Sequence, residues 1–359
     1  MRRIRWAALA IVLIATLYPV PQEAYAVRVS PQRCKTLVSR LSAQPVDLRK
    51  CKFEGRLRNR NFKYALLQGA TFENADLTQA NFTGAVITNV TFANSVLTGA
   101  VFNSAIGINV LFEGSNLNGA SFRGVTLRAS HFADSNMSAV ILRGATIENS
   151  YFPRTDLSGA IASGASLAFN NFSEASLKSA NFSESTLTDA NLSGANLSSA
   201  NFSESTLTDA NLSSSLVADA IFDRAVMTRA DLSGVHGDRS SWIEADVSDS
   251  DFSFAVLRRS SFKSAQMSGV FLGQADFSSS LFNGVAMRDA FGGAAIFTLA
   301  DLRNADLSFS RFWKGDFSFA QLGRANLEGA DFTGAAVEYW QIEAARFKQT
   351  RMPDGTVRD

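Results

Sequence analysis

Histidine and cysteine are almost missing: two of each occur in 359 residues. His131 and His236 lie far apart, so no metal-ligand spacing can be formed from them. No Ser/His/Asp arrangement, phosphate-cradling glycine loop or activated cysteine context is present. The chain is therefore expected not to be an enzyme and to use no cofactor or metal. Charge of one sign is lacking too. Lys+Arg number 34 against 33 Asp+Glu, a formal net charge of +1. That balance gives no electrostatic case for nucleic acid or an anionic membrane. Charged residues are only 19% of the chain, and tyrosine (5) and tryptophan (4) are scarce. Phenylalanine, at 29, is abundant, which favours stacked apolar rings over polar-tipped ones.

The N-terminus reads as a targeting segment. Arg2, Arg3 and Arg5 precede an apolar run over residues 6–18, and Ala24-Tyr25-Ala26 supplies a small-residue cleavage site. The run falls short of the ~20 residues that a transmembrane helix needs. Residues 1–26 are expected to be a signal peptide, with no stable membrane insertion after cleavage. Losing Arg2, Arg3, Arg5 and Glu23 leaves a nearly neutral exported protein.

From Phe62 onward a large apolar residue recurs at every fifth position: Phe62, Leu67, Phe72, Leu77, Phe82, Ile87 and so on to Phe347. Only Gly107, Ala162, Gly237 and Gly292 break the series. Two residues before each centre stands a small residue, with Asn170 and Trp340 as exceptions. A period of five fits neither a straight helix nor a straight strand. It fits a chain that turns a corner every five residues, sending one large and one small side chain inward. The stretch 180–193 recurs unchanged as 200–213. A repeat of four fives predicts a coil with four sides.

Stretches such as Ala75-Asp76-Leu77, Ala190-Asn191-Leu192-Ser193-Gly194 and Ala325-Asn326-Leu327-Glu328-Gly329 resemble the pentapeptide-repeat family over about four-fifths of the chain. The resemblance implies an all-β fold, a right-handed quadrilateral parallel β-helix. At ~4.8 Å per coil it would have about 14 coils and be roughly 70 Å long. Asp and Asn just before a centre, as at Asp76, Asn191 and Asp231, are expected to hydrogen-bond turn backbone. The carboxylates Glu174, Glu184, Asp189, Glu204, Asp209, Asp219 and Asp223 form an acidic belt, read as a solvated face. Large neighbours precede three of the four vacancies, Ile106, Ile161 and Phe291. They are expected to turn inward and fill the gaps, since voids are costly.

The organisation that follows is a signal over 1–26, an N-terminal cap and irregular first coil over 27–56, the solenoid over 57–347 and a C-terminal tail over 348–359. Ser30-Pro31 reads as the start of a short capping helix, on which Cys34, Leu37, Val38 and Leu41 form one stripe. Cys51 should face Cys34 across this cap, and an oxidising compartment would join them as a disulfide.

With no catalytic set, the expected function is a non-enzymatic exported scaffold, structural or protein-binding, in a periplasm, a thylakoid lumen or the extracellular space. A secreted effector or adhesin is the alternative. A DNA-mimicking topoisomerase-binding protein, which the family resemblance implies as a further possibility, ranks below both, because of the export signal, the neutral surface and the lack of helical periodicity after Phe347. No nucleic-acid partner is expected. Candidate contact residues for an unknown protein partner are Leu299, Phe309, Trp313 and Phe319, apolar at outward positions. Arg311, Lys314 and Arg324 are expected to supply a basic rim.

Overall fold

The computed structural model describes residue 34 and residues 46–359. The proposed signal and all of the proposed capping helix except Cys34 lie outside these residues. From Arg56 onward the backbone pairs in parallel with the coil 20 residues away: Arg56 with Asp76, Asn61 with Asn81, and onward to Asp331 with Arg351. Three places lengthen into strands, β1 (Ile106–Ile108), β2 (Thr126–Arg128) and β3 (Thr146–Glu148), joined in that order. Four short sides per coil make a square tube. The first side carries Phe62 and Phe82 inward, the second Leu67 and Ile87, the third Phe72 and Phe92, and the fourth Leu77 and Leu97; all are buried.

Most corners carry a local backbone bond, and many add a side-chain bond. The N–H of the small residue donates to the carbonyl of the preceding centre, as Ala80 does to Leu77 (2.9 Å). The Asp or Asn before the centre accepts the N–H two residues on. Ser193 donates to Asn191 Oδ1 (3.0 Å) and Ser233 to Asp231 Oδ1 (2.9 Å). The second turn residue then takes a positive φ, near 57° at Ser199 and Asp209. Turns of this kind require it there.

The core is a set of aromatic stacks. Phe62, Phe82 and Phe102 lie parallel at 4.8 and 4.7 Å, Phe72 and Phe92 at 5.0 Å, and the two stacks meet edge to face (Phe62–Phe72, 5.4 Å). Further along, rings move to the fourth side, where Phe277, Phe297 and Phe317 stack. Trp242 sits in the first-side stack, 4.2 Å from Phe222, and its indole N–H donates to Ser240 Oγ (2.8 Å). Asn170 takes a small-residue position because its amide is fully used. Its Oδ1 accepts Ser150 N–H (2.8 Å) and its Nδ2 donates to Ile147 and Leu167 carbonyls (2.7 and 2.9 Å).

The vacancies are closed differently from the sequence expectation. Ile106 stays outward, 45% exposed, and pairs in unbroken register with Thr126. Phe291 also points out. The space is taken instead by inward neighbours. A Cβ on Gly107 would lie 2.7 Å from Val110 Cγ2 and 2.8 Å from Ile87 Cγ1; one on Gly292 would lie 2.5 Å from the Phe312 ring. Keeping the coil register costs less than turning a residue over, because a turn would break the bonds to both adjacent coils.

Both ends depart from the period. Asp47 pairs with Leu66 and Lys52 with Thr71, 19 residues apart, before Arg56 restores 20. Gly55, at φ 77°, stands where the missing residue is absorbed. Cys34 and Cys51 are both buried and bridged (S–S 1.97 Å). At the other end the repeat does not run straight to Phe347. The Trp340 indole cannot enter a small-residue position, so the chain leaves the track as a single helical turn, α1 (Tyr339–Ile342), and Trp340 is exposed. Gln341 donates to the carbonyls of Phe317 and Ala320 (2.7 and 2.8 Å), and Ile342 is buried. Arg346 and Arg351 rejoin the pairing, and β4 (Thr350–Arg351) folds back against β5 (Val357–Arg358). The residues read as a tail thus form an end closure.

Candidate interaction surface

Three carboxylates of the acidic belt form ion pairs with arginines. Arg224 meets Glu204, Arg229 meets Asp209 (2.6 Å) and Arg239 meets Asp219 (2.8 Å), each one coil apart at a corner. Hydrogen bonding from Arg229 and Arg239 holds the Asp209 and Asp219 carboxyls below the usual range. Asp223 accepts Ser241 Oγ (2.5 Å) and Ile243 N–H (3.0 Å). Among the described residues no group of three or more His, Cys, Asp or Glu is placed to hold a metal ion. His131 stacks on Tyr151 (5.2 Å).

Leu299, Phe309, Trp313 and Phe319 are all exposed, Phe319 to 66%. The square cross-section decides which of them meet. Leu299 and Phe319 stand on successive coils at the corner after the fourth side, where Leu299 N–H donates to Ser318 O (2.9 Å). Trp313 is at the corner between the third and fourth sides. Phe309 is at the corner between the second and third, diagonal to Phe319, so these two do not share a patch. Two of the rings lie over glycines of neighbouring coils. A Cβ on Gly293 would lie 3.0 Å from the Trp313 ring, and one on Gly329 would lie 2.6 Å from the Phe309 ring. Of the expected basic rim, Arg311 and Lys314 are beside Trp313, whereas Arg324 occupies the diagonal corner.

An aromatic ladder on the third side did not figure in the sequence reading. Phe271 and Phe291 are outward at mid-side on successive coils and stack at 5.2 Å. The Arg311 guanidinium lies 5.1 Å from the Phe291 ring centre. Phe254 and Trp313 flank the ladder at its corner, with Gly273 and Gly293 between them. The signal was in the sequence: two phenylalanines 20 apart, each directly before a centre. Their position next to Leu272 and Gly292 made Phe291 look like an inward filler.

Comparison with known proteins agrees with this geometry. The sequence profile of pentapeptide repeats matches residues 57–103, 108–236, 243–290 and 300–336. No curated protein matches the chain. Among solved structures, QnrB1, a plasmid-mediated fluoroquinolone resistance protein, is 20% identical over 60% of this chain and 92% of its own, with a TM-score of 0.25. HetL, a pentapeptide-repeat protein involved in heterocyst differentiation regulation in the cyanobacterium Nostoc sp. strain PCC 7120, is 24% identical over 88% and 93%, with a TM-score of 0.17. A thylakoid-lumen pentapeptide-repeat protein of Arabidopsis thaliana is 22% identical over 43% and 68%, with a TM-score of 0.13. With the repeat profile spanning well over half its length and the four-sided coil visible in its pairing, the chain belongs to the pentapeptide-repeat family, whose fold is the right-handed quadrilateral β-helix.

Proposed function

We propose that this protein is a non-enzymatic exported solenoid of about 14 coils that acts as a protein-binding scaffold. The observation that carries the reading is the clustering of exposed large apolar side chains in the C-terminal third. Phe254, Phe271, Phe291, Leu299, Trp313 and Phe319 are all solvent-facing there. Elsewhere the corners carry mostly polar or charged residues, many of them paired with each other. An exposed apolar cluster with a tryptophan is the kind of surface that anchors a protein partner. Arg224, Arg229 and Arg239, paired with Glu204, Asp209 and Asp219, interrupt the acidic corners, which weighs against a DNA mimic. Among the described residues no helix is long and apolar enough to cross a membrane. The Arg-rich start, apolar run and Ala24-Tyr25-Ala26 site support export.

The test is a Trp313→Ser, Phe319→Ser double variant compared with the parent by pull-down from the native compartment. Loss of a partner with an unchanged melting temperature supports the reading. Recovery of every interactor that the parent recovers overturns it. Fractionation tests the export component: a purely cytoplasmic pool of full-length chain overturns that part.

A further inference from the structure

The third side is self-complementary. Its outward mid-side residues read, coil by coil, Asp251, Phe271, Phe291, Arg311, paired one to the next. The order is symmetric about the midpoint between Phe271 and Phe291, with opposite charges at the ends. At the corner beside it the column through Trp313 reads Ser253, Gly273, Gly293, Trp313, and Phe254 follows Ser253 as the second turn residue. Neither Asp251 nor Arg311 forms an ion pair among the described residues, although the corner arginines Arg229 and Arg239 do. Asp251 Oδ1 accepts the N–H of Ser253 (2.8 Å), and the side chain is partly exposed.

We infer that two copies of this chain pack antiparallel through their third sides, about a two-fold axis that crosses the face between Phe271 and Phe291. The inference rests on the protein-binding reading and names the partner as a second copy. In an isologous pairing, if one residue meets another, the reciprocal contact forms too. Here each Phe271 meets the other copy's Phe291, each Asp251 meets an Arg311, and each Phe254 meets a Trp313. Gly293 lets the Trp313 indole lie down over it at the corner, and Gly273 adds no side chain beside it. At ~4.8 Å per coil the matched stretch is about 14 Å long. Two aromatic pairs and two ion pairs fit within it.

The charges also select the register. Sliding one copy by a coil toward the C-terminus sets Asp251 against Asp331. Sliding it the other way sets Arg311 against Asp231 but places Asp251 against Phe291. Both leave a charge unpaired, and like charges across an interface are disfavoured. In the matched register the next rung out would bring Asp231 toward Asp331. Asp331 already has Arg351 at 3.9 Å on its own chain, so this rung limits the contact.

Sedimentation equilibrium on the signal-free protein tests the inference. The expected mass is two chains at micromolar concentration, falling toward one as salt is raised. Asp251→Arg alone and Arg311→Asp alone should each give one chain, because like charges then face each other. The double variant Asp251→Arg, Arg311→Asp should restore two. Asp251→Asn keeps the bond from Ser253 and should weaken the dimer without affecting folding, which circular dichroism and the melting temperature check. A parent that stays at one chain up to about 100 μM, or a double variant that does not regain the dimer, overturns the pairing. If the parent is monomeric but Trp313→Ser, Phe319→Ser loses another protein, the scaffold reading survives and the self-association fails.

Discussion

At the residue scale, the inward positions tolerate very little. Leu197 is fully buried at a centre, so Leu197→Asp would bring an unpaired charge into the apolar axis. It should cost several kcal/mol and collapse the melting temperature; an unchanged melt would contradict the inward assignment. The vacant centres behave the same way for the opposite reason. A Cβ on Gly237 would lie 2.6 Å from both Ala218 N and Val217 Cγ2. Gly237→Ala therefore should not repair a hole but force the coil apart, costing roughly 1–3 kcal/mol. Thermal unfolding of this one-methyl variant decides whether the site is a cavity or a close backbone approach. The corners impose a rule of their own. Among the described residues, those at positive φ include Asn, Asp, Ser, Arg and Phe but no Val, Ile or Thr, since β-branched side chains are badly strained there. That rule is legible in the sequence once the corner is known. The filling of Gly107 by Val110 and Ile87 was not, because it depends on contacts between coils rather than on the neighbour in sequence.

At the scale of elements, the two ends and the outward carboxylates set conditions for stability. The Cys34–Cys51 bridge closes a segment with a sequence separation of 17, and a loop of that size stabilises by about 3 kcal/mol in the chain-entropy model. Reduction, or Cys51→Ser, should lower stability by that order, and thiol counting on unreduced, denatured protein should find no free thiols. The C-terminal coils carry Asp276, Asp301, Asp306 and Asp316 at outward mid-side positions. Burial works against ionisation of Asp276 and Asp306. The hydroxyl and N–H of Ser278 and Ser308, with Arg258 and Arg288, outweigh it and hold both carboxyls below their usual range. Asp301 is held low first by its bond from Arg303. A carboxyl with a depressed folded pKa stabilises the protein above its unfolded value, near 4. The benefit is lost as the pH falls through the lower folded value. Melting temperature should therefore be flat above about pH 5 and drop below about pH 4, and Asp276→Asn should make that drop shallower. The C-terminal closure was the least legible element. Trp340 signalled that the repeat could not continue there, but a four-residue helix and a two-residue hairpin are too short to leave a periodic trace.

At the scale of the molecule, the fold was readable because a solenoid writes its tertiary contacts into its sequence period: the neighbour in space is the residue 20 places away. Surface function was less readable, since outward positions answer to partners and not to the core, and the third-side ladder appears only when residues are sorted by side. The same one-dimensional logic predicts which deletions the rod survives. Residues 180–193 and 200–213 are identical, and Phe182 stacks on Phe202 at 5.3 Å in one column. Removing residues 180–199 takes out one whole coil and brings Phe202 into the place of Phe182. Every later residue stays on its own side, and the Arg224–Glu204 and Arg229–Asp209 pairs are kept. Stability in such arrays is close to a sum over repeats and their interfaces, so this variant should fold with only a modest loss. Removing residues 180–189 instead takes out half a coil. Every later centre then moves to the opposite side, the Phe202 column falls on the third side beneath Phe172, and the ends of the cut meet out of register. That variant should be far less stable although it loses half as many residues. Equilibrium denaturation of the two deletions side by side is the test: if the ten-residue deletion is the more stable, the four-sided column arrangement is wrong.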